Sequence, residues 1–146
     1  MSDLIDICDA AVALLAAENL PEQVTVQRRW RPFFEAADLE EIRVSVIPVG
    51  RNRSGSNLAS EQREELLRVV VQRRLGDGTE AGTDADEARA DALDGVVEAI
   101  YESFYPGLEI GTGVVTRVSQ PTLADPEALD ARIFHAAIEV ALWRLT

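Results

Sequence analysis

The sequence predicts an α+β domain with one largely antiparallel sheet of about five strands and two α-helices packed on one sheet face. Two segments, 2–18 and 84–104, repeat apolar residues every three or four positions, as amphipathic helices do. Five other segments alternate apolar and polar residues, as half-buried strands do: 23–31, 40–49, 64–75, 113–119 and 132–145. The order helix, three strands, helix, two strands favours helices gathered on one side of a mainly antiparallel sheet.

Both predicted helices have local signals besides their periodicity. Three aspartates stand in the first turns of the helix over 2–18, where negative charge is favourable, and Pro106-Gly107 ends the helix over 84–104. The apolar stripe of the first helix contains Leu4, Ile5, Cys8, Ala11, Val12 and Leu15. The stripe of the second contains Leu93, Val96, Val97, Ile100 and Phe104. Both stripes are expected to face the sheet.

The predicted strands each present one apolar face. Those faces carry Val24, Val26 and Trp30, then Ile42, Val44 and Val46, then Leu67, Val69 and Val71, and finally Phe134, Ala136, Ile138, Val140 and Leu142. The opposite sheet face is expected to be polar and rich in arginine. Between the second and third strands, residues 50–62 lack apolar periodicity and are rich in Gly, Ser and Asn, which predicts a long, flexible hairpin loop. Residues 76–83 form a Gly-rich linker, and 120–131 are expected to be a loop.

Length and charge restrict the classes of function. The 146 residues suit a single domain spanning 1–146, and a formal net charge of −12 disfavours general binding to nucleic acid or to anionic membranes. All 14 basic residues are arginine. No apolar run reaches the roughly 18 residues of a membrane span, so we expect a soluble, non-secreted protein without membrane partners.

Catalytic and metal-binding patterns are weak. The chain has one cysteine and one histidine, which excludes an internal disulfide and a Cys/His zinc cluster. Cys8 falls on a helical apolar stripe and His135 lies inside the last strand, so both are interpreted as structural. We therefore expect no enzyme activity, no cofactor and no metal. The enzyme alternative would use carboxylates such as Asp91 or Glu98, which would need burial and a perturbed pKa.

The most distinctive pattern is an acidic face on the second helix. At 100° per residue, five carboxylates fall in one narrow sector opposite the apolar stripe: Glu87, Asp91, Asp94, Glu98 and Glu102. Residues 77–102 hold nine acidic residues against Arg89 alone, and therefore eight of the twelve net negative charges. The face could be merely solvated, dock an arginine-bearing partner surface, or line a channel that must not hold DNA.

Two further groups are candidates for protein contacts. Arg51, Asn52, Arg53 and Asn57 would give the loop over 50–62 the character of an arm that orders on binding. Arg68 and Arg74 are interpreted as part of the polar sheet face, with Arg29, Arg43 and Arg117. We predict that this arginine face of one subunit meets the acidic helix of the next, a head-to-tail contact that closes into a ring.

The order of elements, the chain length, the acidic second helix and the long loop within Val49–Glu65 resemble the tail terminator, or tail-completion, proteins of long-tailed bacteriophages. The resemblance spans most of the chain, and it implies a virion subunit, assembled in the host cytoplasm, that forms a homo-oligomeric ring, a hexamer, on the tail tube protein. Such a ring ends tube growth and meets the head–tail connector and neck proteins, while DNA passes through unbound. The family supplies no catalytic residues. Other neck, head-closure or minor tail proteins, or a small acidic cytoplasmic protein-binding module, remain as alternatives.

Overall fold

The computed structural model describes residues 3–33, 36–57, 60–75, 84–119 and 133–144. Within these ranges the chain forms two α-helices, one short 3-10 helix and a six-stranded sheet. The elements in chain order are α1 (Asp3–Ala17), β1 (Val24–Arg28), the 3-10 helix (Ala36–Leu39), β2 (Ile42–Asn57), β3 (Ser60–Arg74), α2 (Asp84–Ser103), β4 (Glu109–Ile110), β5 (Gly113–Val118) and β6 (Ile133–Arg144).

The sheet has the strand order β1-β2-β3-β6-β5-β4. Only β1 and β2 run parallel, and the other four pairs are antiparallel. The parallel pair follows from its connection, since residues 29–41 return the chain to the end of the sheet at which β1 began. The α+β class is confirmed, with six strands where the sequence predicted about five. The additional strand, β4, has two residues and is too short for an alternating pattern to reveal.

Both helices pack on the same face of the sheet, as predicted. The stripe of α2, most of the stripe of α1 and the inward residues of β2, β3 and β6 form one hydrophobic cluster. The predicted stripe of α1 is wrong at Ile5, which is not part of the cluster, and it lacked Ile7, which is. Ile7, Cys8 and Ala11 of α1 and Val96 and Ile100 of α2 are fully buried in it. Full burial of one aliphatic side chain contributes about 1.5–3 kcal/mol, so this face stabilises the fold.

The prediction of a loop over 50–62 is wrong for most of its length. β2 and β3 remain paired from Arg51↔Glu65 to Asn57↔Ser60, with register shifts between Pro48 and Gly50 and between Gly55 and Asn57. A ladder of backbone hydrogen bonds forms without apolar side chains, so the polar sequence shows no alternating pattern that would indicate these strands. The linker over 76–83 and the loop over 120–131 lie outside the described residues.

The opposite sheet face is less polar than predicted. Ser45, Ile47, Val70 and Gln72 are each at most 6% exposed, although they point away from the helices. Part of their cover comes from the connection between β1 and β2, in which Phe33 contacts Gln72 and the 3-10 helix lies against β3. The described part of this connection therefore covers part of that sheet face and forms a second, small buried layer with it.

Candidate functional site

A two-stranded extension of the sheet, here called the hairpin arm, comprises residues 50–57 and 60–64. The pairing of β1 with β2 ends at Arg28↔Val46, and β6 pairs with β3 only from Glu64 onward. The arm therefore projects beyond its neighbouring strands. Three of the residues predicted to make contacts, Asn52, Arg53 and Asn57, have their backbone on this arm, paired opposite residues 64, 63 and 60.

The fourth arm residue, Arg51, forms an ion pair at the base of the arm. Its Nε lies 3.4 Å from Oε2 of Glu65, whose side chain is 1% exposed, whereas that of Arg51 is 41% exposed. Neither carboxylate oxygen of Glu65 accepts a hydrogen bond from any described residue. The extra residue at Val49 shifts the register of β2, so Arg51 faces the same side as the inward residues of β3.

The burial of Glu65 was not predicted, although the sequence contains a signal for it. Glu65 occupies the same alternating positions as Leu67, Val69 and Val71, which all face the helices. A carboxylate at an inward position is expected to have a cationic partner, because an isolated buried charge is costly. The partner could not be found because the bulge at Val49 moves Arg51 to the face opposite to the one that a regular alternation predicts.

The arginines of the opposite sheet face are paired within the chain. Arg68 Nη2 lies 2.6 Å from Glu139 Oε1 on β6, and Arg117 Nη2 lies 2.9 Å from Glu64 Oε1. Arg74 approaches Glu40 more loosely, at 3.9 Å. Because each of these three arginines already has a carboxylate, a contact between them and the acidic helix of another subunit would exchange ion pairs instead of adding them. Arg29 and Arg43 instead donate to backbone carbonyls, those of Arg31 and Asp38. The structure thus weakens the predicted head-to-tail contact through Arg68 and Arg74.

The acidic face of α2 lies where the sequence placed it. All five carboxylates are exposed, and none of them forms an ion pair with a residue that the structure describes: Glu87, Asp91, Asp94, Glu98 and Glu102. The nearby Arg89 directs its guanidinium to the backbone oxygen of Leu75. No cation among the described residues therefore balances the negative charge of this exposed face.

A polar cluster on the opposite sheet face surrounds Gln72. Its Oε1 accepts a hydrogen bond from the Phe33 N–H at 3.0 Å, and its Nε2 donates to the Phe33 carbonyl at 2.8 Å. The same Nε2 is 3.3 Å from Nδ1 of His135. The guanidinium of Arg29 stacks on the Phe33 ring at 3.7 Å. This arrangement anchors the β1–β2 connection and places His135 beside Gln72.

Cys8 is buried at the interface of α1 with the sheet. Burial is the main cause that raises the pKa of its thiol, from the ordinary value of 9.0 to about 12. The guanidinium of Arg28 acts in the opposite direction, and the carboxylates of Asp9 and Glu65 raise the pKa further. A thiol that remains protonated is a poor nucleophile and a poor metal ligand. Among the described residues, no group of three or more His, Cys, Asp and Glu could hold a metal ion. Neither described helix is long and apolar enough to cross a membrane.

Comparison with known proteins identifies the fold. No protein-family model matches the chain, and no curated protein matches it in sequence. A chain in the solved virion of a native gene transfer agent particle is similar in structure, with a TM-score of 0.53 and 9% sequence identity, over 98% of this chain and 94% of that one. A second solved chain is 20% identical over 100% of this chain and 97% of its own length, with a TM-score of 0.42. The first likeness shows that the whole chain adopts a fold found in a virion component.

Proposed function

We propose that the chain is a structural protein of a virion, and specifically a tail terminator that caps the tail tube as a ring and joins it to the neck. The observation that carries the proposal is the full-length likeness to a chain of a gene transfer agent virion. The element order and the acidic helix, which resemble tail terminators, support the finer assignment. In this proposal the protein acts through its outer surfaces and has no catalytic centre.

The charge distribution is the one expected for the wall of a channel through which DNA passes. Five exposed carboxylates on one side of α2 have no described ion-pair partner, so a ring with α2 turned inward would have a negative lumen. Such a wall repels phosphates and reduces retention of DNA during transit. The hairpin arm and the strand edges then remain for contacts with adjacent virion proteins.

The direct test is growth of tail tubes in the presence of the purified protein. Tube protein from the same genome is polymerised with and without this chain, and tube lengths and ends are measured by negative-stain electron microscopy. Tubes that stop growing and carry a ring at one end support the proposal. Unchanged tube lengths and bare ends, at protein concentrations well above that of tube ends, contradict it.

A charge-matched pair of variants tests the role of α2. The first variant neutralises the acidic face with Asp94→Asn, Glu98→Gln and Glu102→Gln. The control removes the same charge elsewhere, with Glu18→Gln, Asp38→Asn and Glu41→Gln, all at exposed positions. If α2 lines the lumen, the first variant still caps tubes, but particles built with it deliver DNA more slowly than particles built with the control. Loss of capping in the first variant alone would instead show that the acidic face docks on the tube.

A further inference from the structure

The side-chain amide of Gln72 has a fixed orientation, because the backbone of Phe33 bonds both of its ends. The Phe33 N–H donates to Oε1 at 3.0 Å, and Nε2 donates to the Phe33 carbonyl at 2.8 Å. Exchanging the oxygen and the nitrogen of this amide would place donor against donor and acceptor against acceptor. Gln72 is 2% exposed, so water has little access to the amide.

This orientation determines which nitrogen of His135 carries the ring proton. Nε2 of Gln72 lies 3.3 Å from Nδ1 of His135, and an NH₂ group only donates hydrogen bonds. Nδ1 must therefore be the acceptor, which requires that it has no proton. The ring that fits this contact is neutral, with its proton on Nε2.

The sheet holds the imidazole and the amide next to each other. His135 on β6 lies directly opposite Gln72 on the central strand β3. A proton on Nδ1 would place two donors face to face, and the contact would be lost. Rotation of the imidazole removes one hydrogen bond from Gln72, and rotation of the amide also breaks both bonds to Phe33. In either case the hold on Phe33 weakens, because the amide is no longer fixed from the side of β6.

The charged groups on this sheet face come from the β1–β2 connection and from three strands. Those for which the structure gives a distance to the Phe33 ring are both cations, since Arg29 and Arg43 lie 3.7 and 5.5 Å from it. Two carboxylates, those of Glu40 and Glu139, lie 3.9 and 2.6 Å from an arginine nitrogen. The remaining charged residues in the described part of this region are Arg31, Asp38 and Glu41 on the connection and Arg68 and Arg74 on β3.

We propose that His135 is a pH-sensitive switch for the connection between β1 and β2. The neutral ring holds the Gln72 amide against Phe33, and protonation of the ring loosens the connection from the sheet. His135 is half-buried, so its ring can exchange protons with the solvent. The loosened form binds the additional proton, and falling pH therefore favours it.

Loosening of the connection uncovers a part of the sheet that is buried at neutral pH. Ser45, Ile47 and Val70 lie on this face, and each is at most 6% exposed. The switch thus controls access to a small apolar layer at the side of the sheet opposite to the helices. It goes beyond the proposed function and does not depend on it.

Nuclear magnetic resonance of the full chain between about pH 7.5 and pH 5 tests the switch. The chain has one histidine, so the ring nitrogen shifts report on His135 alone. At the upper pH we expect a neutral ring with its proton on Nε2. As the ring becomes charged, protection of the Phe33 amide against hydrogen exchange, relative to an unstructured chain at the same pH, should fall about three- to tenfold, as expected for the loss of one hydrogen bond.

Two controls separate the switch from a general loss of stability. The amide of Val69, in the centre of the sheet, should keep its protection over the same range. His135→Gln keeps an acceptor oxygen but has no group that titrates here, so its Phe33 amide should be equally protected at both pH values.

Four results would overturn the inference. These are a ring proton on Nδ1 at the upper pH, a ring that is still neutral at the lower pH, unchanged protection of Phe33 when the ring is charged, and an equal loss of protection in His135→Gln. The first three are measured on the wild-type chain, so the test gives a decisive result even if the variant does not fold.

Discussion

Arg51 and Glu65 lie directly opposite each other on β2 and β3, on the face that the helices cover, because the bulge at Val49 brings Arg51 to that face. Their ion pair joins the buried sheet to the base of the hairpin arm. Glu65 is buried and Arg51 is 41% exposed, so the pair also marks the boundary between the core and the projecting strands. The arm thus leaves the sheet next to a buried carboxylate, that of Glu65.

Replacing Arg51 by leucine should destabilise the fold by about 2–3 kcal/mol. The substitution leaves the carboxylate of Glu65 buried without a cation, which costs about 3–5 kcal/mol in a fully buried pair and less here because water reaches Arg51. Urea unfolding followed by circular dichroism measures the change. The double variant Arg51→Leu/Glu65→Leu should recover most of the loss, and a double variant as unstable as the single one would contradict this account.

An exposed ion pair provides the control for that measurement. Arg68 and Glu139 are 2.6 Å apart, but their side chains are 42% and 51% exposed. Because exposed pairs contribute little, Arg68→Leu should change the free energy of unfolding by less than about 1 kcal/mol. A loss equal to that of Arg51→Leu would show that burial of the carboxylate does not determine the cost.

Stability should fall with rising pH above about 9 because of Cys8. In the unfolded chain the thiol loses its proton near its ordinary pKa of 9.0, whereas in the folded chain it holds the proton up to about 12. The unfolded state therefore binds fewer protons in this window, and the free energy of unfolding falls by up to about 1.4 kcal/mol per pH unit. Urea unfolding of the wild type and of Cys8→Ala from about pH 8 to pH 10.5 should show this extra slope only in the wild type.

Removing the side-chain amide of Gln72 should release the connection between β1 and β2. Gln72→Ala loses two hydrogen bonds to the Phe33 backbone, and we expect a loss of about 2 kcal/mol. Hydrogen exchange at the Phe33 amide should become faster than in the wild type. Gln27→Ala, at a half-buried glutamine on the same sheet face, should stay within about 0.5 kcal/mol and leave that amide protected.

Two glycines should respond to alanine with opposite signs. A Cβ at Gly95, inside α2, would have no atom within 4 Å, so Gly95→Ala should stabilise the protein by about 0.5–1 kcal/mol through helix propensity. A Cβ at Gly113 would lie 3.1 Å from Ile7 Cδ1 and 3.2 Å from Leu142 Cδ2, so Gly113→Ala should destabilise it by about 1–3 kcal/mol. Thermal unfolding of both variants measures the two changes in stability. If Gly113→Ala stabilised the protein as Gly95→Ala does, the close packing around Gly113 would not limit the size of this residue.

Sequence periodicity located the elements whose side chains face the main core. The inward positions of β6, from Phe134 to Leu142, and the stripe of α2 are buried as predicted, because burial of apolar groups is what such patterns record. The pattern cannot report structure held by backbone pairing alone. For this reason the hairpin arm was predicted to be a loop, and the two residues of β4 were not predicted.

The candidate site was predictable only in part. The acidic face of α2 lies within one helix, so the helical period alone predicts that its five carboxylates share one exposed side. The ion pairs Arg68–Glu139 and Arg117–Glu64 join positions 71 and 53 residues apart, and they depend on β6 lying between β3 and β5. Strand order was not determined by the sequence pattern, so the loss of free arginines on that face could not be foreseen.

The position of β6 has a consequence for the order of events during synthesis. β6 is the last of the six strands to leave the ribosome, yet it lies between β3 and β5, with partners such as Arg74↔Ile133 and Gly113↔Arg144 on its two sides. Until it is made, β3 and β5 lack the strand that lies between them in the folded chain, so the edge of β3 from Leu67 to Val71 has no partner. Pairing between distant segments is slow, so we expect the insertion of β6 to be a late step of folding, and the open edge of β3 to be prone to association until then.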